Sequence, residues 1–352
     1  MELKGDALYQ ESAGAANNRR EKQLEQLNQY IERARQQADM NRQQYFKPDL
    51  SSTKAYEETI HTYRRSFNHM LGWPLMGYNE DEELPTPLVE IEFVATDQLS
   101  HIYRLEIEAD AHLSLYGILF IPLGQGPFPL VIVQHGGSGT PELCAGFYGP
   151  SNYNDMVRRI LRRGCAVFAP QLHLWSLEQG PTKDRKLVDN QLKQLGSSIS
   201  SVEIFKLRRG LDYLQTRPDI NKEKMGMAGL SYGGFYTLFT AAADVRIKAA
   251  YSSCFFNNRF VYDRSDWIWK NSGNTFLDAE IAGLICPRPL YIEVGLEDEL
   301  FEATYAGGEA DKVKRLYEQL RIPHQFQYHE FQGKHEFNKA DAGIDFLCGF
   351  LG

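Results

Sequence analysis

The stretch GMAGLSYGGF, residues 226–235, sets one serine, Ser231, among Gly229, Gly233 and Gly234, directly after a run of small apolar residues. Lys224–Ala228 reads as a short strand and Phe235–Ala243 as a helix, so the serine falls in a strand–turn–helix. A tight, strained turn of this kind lifts a hydroxyl above the edge of a sheet. Glycines two before and two after it keep side chains from colliding there. Gly234 lets the helix begin close to the sheet, and a helix N-terminus favours negative charge developing nearby. The plainer reading is a glycine-rich turn with an exposed serine. The rest of the chain decides between them.

A serine hydroxyl is a weak nucleophile until a base takes its proton. In this arrangement the helpers follow the serine, first a carboxylate and then a histidine. His324, His329 and His335 come after Ser231. His324 precedes most of the strand-like HQFQYHEF and His329 lies within it, whereas His335 stands in FQGKHEF, a glycine-containing loop before the last helix. A loop at a strand's carboxyl end can reach back to the elbow, which makes His335 the expected base. The strand-like PLYIEVG ends at Gly295, and Asp298 just beyond it is the expected carboxylate. Glu297 competes with it, Glu293 inside the strand is weaker, and Asp263 and Asp266 are outsiders.

Acyl transfer also needs donors for an oxyanion. Gln134-His135-Gly136-Gly137-Ser138-Gly139 follows the apolar run PLVIVQ, and glycine lets a backbone approach a substrate closely. The amide of Tyr232 is one expected donor; Gly136 or Gly137 supplies the other. His135 precedes the serine, so it is expected to orient the glycine loop, to pack, or to line the substrate pocket. Trp267 and Trp269 are the other pocket candidates, suited to stacking on a sugar or aromatic acyl group; core packing is the equal alternative.

Around these motifs the chain alternates in a way that gives the fold class. VEIEFVAT, IYRLEIEA and LSLYGILFIP read as antiparallel strands, and PLVIVQHGG as a buried parallel one. Strand and helix patterns then alternate: a helix at Tyr153–Arg163, CAVFAP, a helix near Ser200–Thr216, the elbow, IKAAYSSC, PLYIEVG, a helix at Glu309–Leu320, HQFQYHEF, and a helix at Ala340–Phe350. This predicts an α/β fold with a doubly wound, mostly parallel sheet. Two stretches, Gln171–Gly196 and Phe255–Ala282, interrupt the rhythm after strand ends, where such sheets place ligands. Residues 1–88 differ: Asn18–Tyr45 carries Leu24, Leu27, Ile31, Ala34 and Ala38 at helical spacing, and a second helix carries Tyr56, Ile60, Tyr63, Phe67 and Met70. The expected division is therefore a helical extension over 1–88 and a catalytic domain over 89–352. The extension packs on the domain, covers its pocket, or joins copies into a homo-oligomer.

Composition narrows the partners. The 352 residues carry a formal net charge of −8, against the basic face that nucleic acid requires. The five cysteines are scattered without metal-ligand spacing, which fits a reducing compartment. The first residues lack the apolar run of a signal peptide, and no apolar run approaches the roughly 18 residues of a membrane span. A cytoplasmic protein with no membrane association is the expectation. The clusters Arg158, Arg159, Arg162, Arg163 and Lys206, Arg208, Arg209 fall on predicted helices, where solvated faces or ion pairs explain them.

From Val89 onward the chain resembles an α/β-hydrolase: HGG, GLSYGG, GLEDELF and GKHEF stand in that family's order. RGLDYLQTRPDI before the elbow and RIKAA after it resemble the dienelactone-hydrolase-like and acetyl-xylan-esterase-like branch. The resemblance implies a carboxylic-ester hydrolase using Ser231, Asp298 and His335, with a small ester as substrate and neither metal nor organic cofactor. Dienelactone hydrolases proper use a cysteine nucleophile where this chain has serine. The Ser-Tyr-Gly-Gly wording also resembles prolyl-oligopeptidase-type peptidases, so a peptidase or amidase is the alternative. A non-catalytic binding module on the same fold is the third reading.

Overall fold

Alternating and fully apolar segments become one sheet of nine strands. The computed structural model describes residues 8–79, 82–173, 184–262 and 264–352. The chain divides into two compact units, one made of residues up to Lys47 with Gly273–Thr275, the other of Pro48–Ser272 and Phe276–Gly352. In the first, α1 (Asn17–Tyr45) is a single long helix. Leu24, Leu27 and Ile31 on its stripe are 60%, 54% and 41% exposed.

In the second unit, α2 (Thr53–Leu71) starts where Ser52 Oγ accepts from the Ala55 amide and ends at Gly72, whose φ of 98° is a left-handed cap. The strands are β1 (Val89–Thr96), β2 (Ser100–Asp110), β3 (Leu113–Pro122), β4 (Phe128–Gln134), β5 (Ala166–Pro170), β6 (Ile220–Leu230), β7 (Ile247–Ser253), β8 (Leu290–Gly295) and β9 (Phe326–Phe331). Their order is β1-β2-β3-β5-β4-β6-β7-β8-β9. The pairs among β1, β2, β3 and β5 are antiparallel, and those from β5 through β4 to β9 are parallel. The expected α/β class with a mostly parallel sheet and preceding helices is the observed one.

Among the helices that follow are α3 (Pro141–Cys144), α4 (Met156–Leu161), α5 (Arg185–Gln194), α6 (Ile199–Leu214), α7 (Tyr232–Ala243), α8 (Ser272–Thr275), α9 (Asp278–Ile285), α10 (Ala303–Gln319) and α11 (Ala342–Leu351). Leu130, Val131, Ile132 and Val133 of β4 are all buried, as a strand covered on both faces requires. The chain leaves β4 for β5 on one side, then returns past β4 to β6 and onward to β9. In sheets whose chain reverses in this way, ligands settle beyond the carboxyl ends of the strands at the reversal, here β4 and β6. The glycine loop follows β4, and Ser231 follows β6.

Several boundaries differ from expectation. Of the two helices before the sheet, α2 belongs to the same compact unit as the strands. Tyr56 Oη donates to the Gly283 carbonyl at 2.7 Å, and Arg64 donates to the carbonyls of Ala242 and Leu284 at 2.9 Å each. One guanidinium thus serves carbonyls left unpaired at the ends of α7 and α9. The polar stretch 171–196 holds α5, and 255–282 holds α8 and the start of α9. Residues 174–183 and Asp263 lie outside the described residues, as do the first seven. Helix α10 begins at Ala303 rather than Glu309: buried Ala306 and Ala310 carry it through Gly307-Gly308, so packing outweighs glycine's helix cost of about 1 kcal/mol each. The helix at 153–163 is shortened to α4, since Asn154 and Asp155 take positive φ. Among the described residues, no helix is long and apolar enough to cross a membrane.

Candidate active site

The parallel register brings the carboxyl ends of five strands to one edge. Gln134 pairs with Gly229, Leu230 with Ser253, Ser253 with Glu293, and Gly295 with Phe331. Ser231 stands at this edge with φ 60° and ψ −121°, a strained conformation for a residue with a Cβ. Its amide donates to Ser253 O at 2.9 Å, and its carbonyl accepts from Phe235 N at 2.9 Å. The surrounding glycines are required sterically. A Cβ on Gly233 would lie 2.0 Å from Gln134 O, one on Gly229 2.3 Å from Gly233, and one on Gly234 2.8 Å from Ser252 Oγ.

His335 lies in the loop after β9. Its Nδ1 is 2.8 Å from Asp298 Oδ2. Asp298 Oδ1 accepts from the amides of Leu300 and Phe301 at 2.8 and 3.1 Å, so the carboxylate is fixed in its own turn. The Phe301 ring stacks on the imidazole, with centroids 5.7 Å apart. Acting as acceptor toward His335, Asp298 places the proton on Nδ1 and leaves Nε2 with a lone pair. Glu297 is exposed and receives Gln332 Nε2 instead. His324 is exposed in the turn before β9, and His329 lies on β9 at the sheet edge.

Cys254 adds a third reactive atom type. Its Sγ, a carboxylate oxygen of Asp298 and a ring nitrogen of His335 all lie within 4.8 Å of one another. The thiol donates to Glu336 O at 3.4 Å. Burial, helped by the Asp298 charge, pushes the thiol well above its usual range, which keeps it protonated.

The glycine loop is braced from behind. Gly136 N donates to Tyr153 Oη at 2.8 Å. Of the two expected glycine donors, the Gly136 amide is therefore already engaged. A Cβ on Gly137 would lie 3.4 Å from the Tyr232 ring. His135 is fully buried: its Nε2 accepts from Leu172 N at 3.1 Å, so the proton is on Nδ1, which donates to Gly136 O at 2.8 Å. It is a strut between the glycine loop and the chain after β5 and presents no surface to a pocket. Burial lowers its pKa to about 4 from 6.5. Between those values the unfolded chain holds the extra proton and the fold does not. Stability is therefore full above about pH 6.5 and falls by about 3 kcal/mol as pH drops toward 4. Urea unfolding of wild type and His135→Gln at pH 7 and pH 4.5 checks this; the wild type is expected to lose more stability on acidification than the variant.

The aromatic candidates are buried too. Trp267 packs on Tyr232, Phe255 and Phe301, and Trp269 stacks on Phe235 at 6.3 Å. Tyr232 Oη donates to Asp266 at 2.9 Å, and Asp266 is paired with Arg185 Nε at 2.7 Å. Asp266, an outsider as triad acid, thus tethers the residue after the nucleophile. Within the basic clusters, Arg159 and Arg163 pair with Asp341, Arg209 with Asp212 and Arg208 with Asp244, while Arg162 is exposed.

Residues 115–345, well over half of the chain, match the dienelactone hydrolase family. The chain belongs to the dienelactone hydrolase family. It is 29% identical to the YtaP protein of Bacillus subtilis (strain 168) over 206 residues, 54% of this chain, and spans 66%, just under two thirds, of that relative. The glucuronoyl esterase from Solibacter usitatus has a similar structure, with a TM-score of 0.63 at 14% identity, covering 88% of this chain and 98% of that one. Acetyl xylan esterase 1 from Thermoanaerobacterium sp. JW/SL YS485 gives 0.55 at 14% identity, covering 83% and 94%. These two likenesses are of fold.

Within this member of the dienelactone hydrolase family, the supports of the site lay beyond sequence reasoning. Tyr153 behind the glycine loop, Asn154 and Arg159 behind the histidine loop, and Arg185 behind Tyr232 come from segments without a motif. Asn154 Nδ2 donates to Phe337 O at 2.6 Å, and Arg159 Nη1 to Asn338 O at 2.7 Å. The arginine cluster of 158–163 was the one available signal.

Proposed function

We propose that the protein is a serine hydrolase of small carboxylic esters. The observation that carries this is the His335–Asp298 pair, 2.8 Å apart, at the sheet edge that also bears Ser231 in its strained turn. His335 Nε2 takes the proton of Ser231 Oγ as that oxygen bonds to the ester carbonyl carbon. The amides of Tyr232 and Gly137 receive the oxyanion, and Asp298 stabilises the imidazolium. Collapse expels the alcohol, which takes the proton from His335, and leaves an acyl-serine. Water then adds with His335 as base, and the acid departs. No step calls for a metal or organic cofactor. Membership of the dienelactone hydrolase family and the esterases among the proteins of similar fold favour ester over amide.

The test is a screen of acyl esters, acetylated sugars and lactones beside aminopeptidase and endopeptidase substrates. Ester turnover with peptides uncleaved is expected. Peptide cleavage exceeding ester turnover makes it a peptidase, and no turnover of any substrate by folded protein supports the non-catalytic reading.

A further inference from the structure

Glu293 is a buried carboxyl to which the hydrolytic steps above give no part. It stands near the end of β8 and is fully buried. Oε1 accepts from Ser253 Oγ at 2.8 Å and from Asn338 N at 3.2 Å, and Oε2 accepts from Asn338 Nδ2 at 3.2 Å. Its backbone carbonyl accepts from Cys254 N at 2.9 Å.

Each of these partners is one step from a reacting group. Ser253 O holds the Ser231 amide. Cys254 Sγ lies within 4.8 Å of a carboxylate oxygen of Asp298 and a ring nitrogen of His335. Asn338 closes the loop that carries His335. Burying a carboxyl is costly, and an apolar side chain of similar size avoids that cost. Burial raises the affinity of Glu293 for its proton, opposed first by the Tyr251 hydroxyl and then by Ser253 and Asn338. Two acceptor oxygens on one short side chain reach both the end of β7 and the histidine loop, which an apolar residue does not. Glu293 is not a rival acid, since Asp298 already occupies His335 Nδ1.

We propose that Glu293 is a positioning residue, holding the His335 loop in register with the Ser231 elbow. This rests on the reading of Ser231, Asp298 and His335 as a triad. A residue that only fills the core affects stability. One that sets register also affects the tautomer of His335 and the chemical step, because small displacements of a catalytic group are expensive in rate.

The test uses Glu293→Gln, which places an NH2 against Asn338, and Asn338→Ala, which removes the loop side of the link and leaves the buried carboxyl in place. Ring-nitrogen NMR shifts of His335 report the tautomer without any substrate. In wild type the Nδ1–H form is expected to dominate, and in the variants a mixture of tautomers. In parallel kcat falls by about tenfold to a hundredfold while KM stays nearly constant. Unchanged His335 shifts and unchanged kcat in variants with lowered melting temperature overturn the proposal and leave Glu293 a structural residue. Should Glu293→Gln not fold, Asn338→Ala decides alone by the same two readings. Should no ester be turned over, the tautomer still decides, so failure of the hydrolase reading is told apart from failure of this one.

Discussion

Ser231→Ala and His335→Ala each lower kcat for a short-chain aryl ester by about 10⁴-fold or more, and the double variant is hardly worse than either. The expectation follows from how the groups act. The hydroxyl of Ser231 is nucleophilic only while an imidazole accepts its proton, so losing either partner removes the same step. What remains is catalysis by the backbone donors of Tyr232 and Gly137 and by substrate binding, which neither change touches. Steady-state kinetics on the two single variants and the double variant measure this. Losses below tenfold, or losses that multiply in the double variant, contradict a shared step. KM is expected to move little, since the serine and histidine act on the transition state more than on the bound ester.

The second large effect separates two neighbouring carboxylates. Asp298→Asn is expected to lower kcat by about 10⁴-fold, and Glu297→Gln by less than about twofold. Asp298 Oδ2 accepts the Nδ1 proton of His335 at 2.8 Å. An asparagine there can present its NH2 to the same nitrogen, which favours the Nε2–H tautomer, and that form cannot take a proton from serine. The Leu300 and Phe301 amides hold the side chain in its turn and keep the geometry nearly unchanged. Glu297 is exposed and bonded to Gln332, outside this chain of contacts. Circular dichroism on both variants separates loss of chemistry from loss of fold. A large loss with Glu297→Gln and a small one with Asp298→Asn reverses the assignment.

The sequence was legible where a single segment carries both its pattern and its purpose. The run before Ser231 is apolar and small because β6 is buried between β4 and β7. The glycines on either side of Ser231 stand where a Cβ would strike Gln134 O, for Gly233, or Gly233 itself, for Gly229. Backbone crowding of that kind leaves a local signature. Order along the chain then named Asp298 and His335 because a parallel sheet gathers its loops at one edge. Contacts between distant segments were not legible. That Gly136 gives its amide to Tyr153, or that Trp267 is sealed among aromatic rings, depends on which remote side chains meet. Helix α5 was hidden in a polar stretch, since its amphipathic face is judged only against the neighbours that cover it. Glu293 looked like a poor acid within a strand. Its part emerged only when the register placed it between Ser253 and Asn338.

Labelling with a fluorophosphonate, followed by peptide mass mapping, tests the central claim most directly. The reagent traps an activated serine and needs no knowledge of the natural ester. One adduct per chain is expected on Ser231, absent from Ser231→Ala and strongly slowed in His335→Ala. Folded protein that takes no label, or that takes it on a residue other than Ser231, contradicts the account.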